Sequence, residues 1–141
     1  MRAALFSVAL LWLAHGSPAS AEDLTGYTGP QLYSQFCASC HGRQGHGDGP
    51  VASSLKVEVP DLTRIAARQG GKFPDDKIRA IIDGRTILMA HGSRTMPIWG
   101  MAFRVASGQT PQAEFQTQAM IGQLMEFLRS IQHPPASAQP Q

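Results

Sequence analysis

The stretch Cys37-Ala38-Ser39-Cys40-His41 decides how the rest of this chain is read. Its cysteines are the only two in the sequence, and a histidine follows the second at once. Two thiols three positions apart lie on one turn of backbone and can reach two neighbouring carbons of one flat group. The histidine beside them then turns its imidazole towards that group from one face. This is the C-x-x-C-H arrangement of c-type haem attachment, with the thiols joined to the two porphyrin vinyl groups and the histidine on the iron. Three other readings compete. A thioredoxin-like redox pair sits after a strand and before a helix, whereas this pair follows a helical segment and precedes a glycine-rich loop. Zinc would need a second ligand pair. A structural disulfide is the third alternative.

Outward from the motif the sequence is helical and irregular by turns. Gly29-Pro30 opens a short helix, with proline at a favoured first position and Leu32, Tyr33 and Phe36 on its apolar face. After His41 come Gly42, Gly45, Gly47 and Gly49, then Pro50, an irregular loop able to lie close against a flat cofactor. Pro60-Asp61 opens a turn or short helix running to about Arg68, which Gly70-Gly71 ends. Pro74 to Asp83 reads as a helix with Asp75 and Asp76 in its first turn, an Ile78, Ile81, Ile82 stripe and Gly84 as its stop. The segment from Ile87 to Phe103 reads as a loop punctuated by Gly and Pro. Thr110-Pro111 caps a long final helix with Met120, Leu124, Phe127, Leu128 and Ile131 at helical spacing. From Gln132 the chain reads as a disordered tail containing Pro134, Pro135 and Pro140. No strand pattern and no internal repeat is present.

Haem iron held by one histidine has a second axial position, and its occupant helps decide function. Met96 is the candidate: a soft, neutral thioether in a loop 55 residues beyond His41, with Pro97 stiffening the backbone after it. Packing in the core is the ordinary role of a methionine. His91, Met89 and Met101 are rivals, with His91 the runner-up because imidazole is the chemically better iron ligand. His46 stands too near His41 to reach the opposite face easily, and His133 belongs to the tail.

The ends and the composition set the frame. Arg2, an apolar run from Ala3 to Ala14 and the small-residue stretch Ala19-Ser20-Ala21 form a secretory signal-peptide pattern. The alternatives are a buried N-terminal helix and an uncleaved anchor. Cleavage after Ala21 would leave 120 of the 141 residues and lower the formal net charge from +2 to +1. Hydrophobic residues make up 43%, enough for a core. No run reaches the roughly 20 apolar residues that span a bilayer. The small net charge, with no Lys/Arg cluster, speaks against nucleic acid as a partner. Two ionised haem propionates would bring the processed protein to about −1.

With these residues in place, the chain from Gly29 to Ile131 resembles the class I cytochromes c. Cys37, Cys40, His41, Pro50, Met96 and the final helix follow in the order found in that family. The resemblance implies an all-α class I cytochrome c fold, with about three to five helices around one covalent haem c. With the signal-peptide pattern and the proline-containing tail, the chain divides into 1–21 a signal peptide, 22–28 a short lead, 29–132 the cytochrome c domain and 133–141 a disordered tail. The resemblance implies that Cys37 and Cys40 carry the haem and that His41 and Met96 are the axial ligands. It also implies that Gly49-Pro50 supplies a proline carbonyl to the other ring nitrogen of His41. Gly29 and Tyr33 match the positions that meet the last helix, with Leu124 and Phe127 as partners. The stretch from Ala90 to Gly100 is similar to a variant of bacterial members, in which Arg94, Trp99 and Arg64 would contact the haem or its propionates or serve as packing and surface residues.

The resulting expectation is a periplasmic or otherwise exported electron carrier, not an enzyme. It would be a monomer meeting a redox donor and an acceptor by transient contact, without nucleic acid and without stable membrane insertion after signal cleavage. A haem subunit of a larger dehydrogenase or oxidase, and a haem protein with an open sixth position for catalysis or sensing, are the alternatives. A thiol–disulfide module is the non-haem one.

Overall fold

Helix α1 (Gly29–Phe36) begins where Thr28 closes a capping box. The Gln31 side-chain oxygen accepts from the Thr28 N–H and from its hydroxyl, both at 2.9 Å. Pro30 lies in the first turn, where a missing N–H costs nothing. A single turn, α2 (Ala38–His41), follows directly. Three longer helices come later: α3 (Asp75–Asp83), α4 (Trp99–Ala106) and α5 (Pro111–Ser130). The computed structural model describes residues 24–84 and 96–133. Among them the only other regular elements are short 3-10 turns, and there is no strand. The expected all-α class is found. The proposed signal peptide, residues 22 and 23 of the lead, Met89, His91, Arg94 and the tail from 134 lie outside the described residues.

Helix α5 is the central element and packs against α1, α3 and α4. Thr110 caps it by accepting from the Ala113 N–H at 3.1 Å, as Thr110-Pro111 predicts. Its buried face carries Ala113, Thr117, Met120, Ile121, Leu124, Met125 and Leu128. Met120, Ile121, Leu124, Met125 and Leu128 join Leu32 and Tyr33 of α1, Ile82 of α3 and Phe103 of α4 in one core cluster. The α1–α5 contact rests on Gly29, where a Cβ would strike the Gln123 carbonyl oxygen, and on Tyr33, whose ring lies 4.7 Å from that of Phe127. This is the crossing that the resemblance implies for Gly29, Tyr33 and Phe127.

Two expectations are corrected. Residues 99–103, read as part of a loop, open α4. Pro97 lies just ahead of the cap residue Ile98, where its missing N–H interrupts no bond of the helix. Trp99 and Phe103 then fall one turn apart; Phe103 is buried and Trp99 half-buried. The tail also begins later than Gln132. The Gln132 side chain donates to the Leu62 and Leu128 carbonyls at 2.8 and 2.7 Å and accepts from the Ala66 N–H at 2.9 Å. The His133 N–H donates to the Thr63 carbonyl at 2.9 Å. These bonds fasten the end of α5 to the turn that begins at Pro60.

Candidate haem attachment site

The attachment motif is one helical turn whose end is satisfied by the loop that follows. Cys37 closes α1 and opens α2, with the His41 N–H donating to its carbonyl at 2.9 Å. The last carbonyls of a helix lack intrahelical partners. Here the Val51, Gly49 and Gly47 N–H groups donate to the Ser39, Cys40 and His41 carbonyls at 3.1, 3.1 and 2.9 Å. The glycine-rich loop is therefore folded back on the motif. A Cβ at Gly49 would run into the Ser39 and Cys40 backbone of the motif, and one at Gly47 into the backbone of Val59, so Gly49 lets the loop pack on the motif and Gly47 lets it pack on the segment leading to Pro60.

His41 is 9% exposed, and its Nδ1 lies 3.2 Å from the Pro60 carbonyl oxygen. Burial holds its pKa below the ordinary 6.5, and the Pro60 bond works in the opposite sense. A neutral ring that donates from Nδ1 to a carbonyl keeps the lone pair of Nε2 for a metal. The expected partner, Pro50, does not fill this role. Gly49 and Val51 are pinned behind α2 on the Cys40 and Ser39 carbonyls, which leaves Pro50 exposed between them. Pro60 is brought to the ring instead, because the Leu62 N–H donates to the Gly45 carbonyl at 2.6 Å. Asp61 holds the turn beyond it, accepting from the Thr63 N–H at 2.8 Å and its hydroxyl at 2.6 Å.

Cys37 and Cys40 are free thiols and half-buried. Burial, with the neighbouring Cys40 adding to it, pushes the Cys37 thiol up to about 12. A reactive disulfide-exchange cysteine has its pKa lowered, not raised. The Cys37 thiol is shifted in the opposite direction. Behind it, Phe36 lies 5.2 Å from the ring of Trp99 and 5.1 Å from that of Phe103, an aromatic wall between α1 and α4. Trp99 thus has a packing role.

Met96 is half-buried and packs against the core, immediately before α4. Its rival Met101 is 57% exposed on the outer face of α4. His46 is exposed, 3.8 Å from Asp61 and with its ring 5.9 Å from that of His133. Arg64 is exposed at the end of the 3-10 turn Leu62–Arg64. The residues that sequence reasoning missed are Pro60, whose carbonyl faces His41, and Tyr33 as a second support. The Tyr33 hydroxyl donates to the Gly42 carbonyl at 2.8 Å, beside His41. The only sequence signal for Pro60 is its place at the start of a turn.

Paired thiols on one turn, a buried neutral histidine behind them and an aromatic wall define a covalent haem-binding protein. The family model of cytochrome c matches residues 27–132, and the chain belongs to that family. No curated protein and no solved structure gives a significant match. The donor set fits the family's cofactor: one haem c, with Cys37 and Cys40 at the spacing that binds it covalently. Haem-based electron transfer is the general activity of this family. No helix among the described residues is long and apolar enough to cross a membrane.

Proposed function

We propose that this chain is an exported, single-haem, class I cytochrome c that carries one electron at a time between protein partners, with His41 and Met96 as its axial ligands. Bound haem supplies the Fe(II)/Fe(III) couple. The chain supplies the rest. Cys37 and Cys40 tether the cofactor through thioethers, so it is not lost outside the cell. His41 offers Nε2 while the Pro60 carbonyl fixes its ring. Met96 offers a neutral sulfur that closes the other side, which favours electron transfer over chemistry on a bound molecule. A neutral thioether and apolar surroundings do little for the extra positive charge of ferric iron, so the potential is expected to be positive.

The observation that carries this reading is His41, buried and neutral, with one ring nitrogen engaged and the other left for iron. Met96 is supported by its half-buried place against the core and by the exposure of Met101. Export is supported by the pattern of residues 1–21, and a monomer with brief partner contacts suits a small carrier of this kind.

Visible spectra of wild type and Met96→Ala, produced with haem-attachment machinery, test the ligand set. Both should keep colour after denaturing purification. Only ferric wild type should show the weak far-red sulfur–iron band. Persistence of the band in Met96→Ala would move the ligand to another methionine. Fast carbon monoxide binding by reduced wild type would sink the closed site.

A further inference from the structure

Asp83, the last residue of α3, is 3% exposed. A carboxylate so buried is costly unless both oxygens have donors. Both do. Arg104 Nη1 of α4 donates to Oδ1 at 2.7 Å, and Gln118 Nε2 of α5 donates to Oδ2 at 3.3 Å. The two donors are joined through Glu114, whose carboxylate accepts from Arg104 at 3.4 Å and from Gln118 at 3.1 Å. One acid at the end of α3 is thereby tied to both later helices.

Backbone contacts press the same two elements together. A Cβ at Gly100 would strike Oδ1 of Asp83, and one at Gly84 would strike the side chain of Ile98. Asp83 and Gly84 end α3; Ile98 caps α4, Gly100 and Arg104 lie within it, and Met96 is two residues before Ile98.

We propose that Asp83, Arg104 and Gln118 form a clamp that holds the start of α4 on the end of α3 and so positions Met96, two residues before Ile98, against competing ligands. The inference rests on Met96 as an axial ligand. A thioether on iron is one half of an equilibrium with its dissociated state. Its bound fraction depends on how narrowly the chain confines the sulfur, as a tethered ligand's effective concentration depends on its tether. Fixing the start of α4, to which Met96 is joined through Pro97 and Ile98, raises that fraction. Asp83, Arg104 and Gln118 are positioning residues, since they act through the backbone that carries Met96.

Imidazole titration of the ferric holoprotein tests the clamp, with loss of the far-red sulfur–iron band as the readout and far-ultraviolet circular dichroism taken on the same samples. Arg104→Gln is the main variant because Arg104 is partly exposed and its loss leaves Gln118 on Asp83. Its apparent imidazole affinity should rise about tenfold over wild type. Arg104→Lys, which keeps the charge but not the fork, should recover part of the difference. Gly100→Ala, which pushes α4 from Asp83 without altering charge, should move affinity in the same direction and stands in if Arg104→Gln does not fold. The helical signal should be unchanged at the imidazole concentrations that remove the band. Equal affinity in band-bearing wild type and variants overturns the clamp and leaves the ligand assignment standing. So does loss of the band only where helicity is lost. Absence of the band from wild type overturns the ligand assignment and the clamp with it.

Discussion

Tyr33 joins the attachment motif to the core through one side chain. Its ring packs on Phe127, and its hydroxyl donates to the buried Gly42 carbonyl beside His41. Burial first, then the nearby Cys37 and Asp48, hold the phenol well above its ordinary pKa, so it stays a donor at every working pH. Tyr33→Phe keeps the ring and removes the bond, leaving a buried carbonyl without that partner. The holoprotein should lose about 1–2 kcal/mol, measured as a lower denaturant midpoint at unchanged slope. Asp61 supplies a pH dependence. Partial desolvation raises its pKa, but the two Thr63 hydrogen bonds, helped by His46 and Arg68, outweigh that and lower it. The unfolded chain takes up the proton near the ordinary 3.8, the folded chain only at lower pH. The stabilisation is complete above 3.8 and is lost as pH falls through the folded value. Asp61→Asn should therefore be less stable than wild type at neutral pH and show a flatter acid limb in unfolding curves taken from pH 7 to about pH 3. At this scale Cys37, Cys40 and His41 were legible because the motif is contiguous. The carbonyl on His41 was not, because Pro60 lies 19 residues further on and reaches the ring only through the Gly45–Leu62 bond.

The α1–α5 pair carries two glycines of opposite character, and only Gly29 lies at the contact. Gly29 of α1 sits where a Cβ would collide with the Gln123 carbonyl of α5, whereas a Cβ at Gly122 of α5 would meet nothing within 4 Å. Gly29→Ala must push the helices apart and should cost about 1–3 kcal/mol. Gly122→Ala removes unfolded-state freedom at an open helical site and should gain about 0.5–1 kcal/mol. Thermal unfolding of the two variants beside wild type checks the pair, and shifts of the same sign would contradict the crossing. Helices α1, α3 and α5 could be read from the sequence because caps and apolar periodicity agree in each. The α4 region could not. Gly92, Pro97 and Gly100 resemble loop punctuation. Gly100 is tolerated inside a helix because Asp83 packs directly against it, a contact that no local pattern records. The outer face of α4, with Met101 and Val105 exposed, further blurs its periodicity.

Over the whole molecule, basic and acidic residues nearly balance: 12 Lys and Arg against 10 Asp and Glu. Several of these charges are already matched inside the fold. Arg129 pairs with Asp75, and Arg104 with Asp83 and Glu114. Removal of residues 1–21 and the addition of two propionates would take the net charge from +2 to about −1. A molecule so close to neutrality has little field beyond a Debye length, so its encounters are not steered over long range. Oxidation by a small anionic iron complex and reduction by a small cationic ruthenium complex should each change by less than about threefold between 0.01 M and 0.5 M ionic strength. Stopped-flow measurement at the haem absorbance gives both rates. A steep fall for one sign of reagent alone would reveal a charged patch where electrons leave or enter, with the opposite sign concentrated there despite the near-zero total. Such a patch would make partner choice a property of local charge rather than of the sum. A flat response for both reagents would leave shape and apolar contact as what selects the donor and the acceptor, as befits small, weak redox encounters.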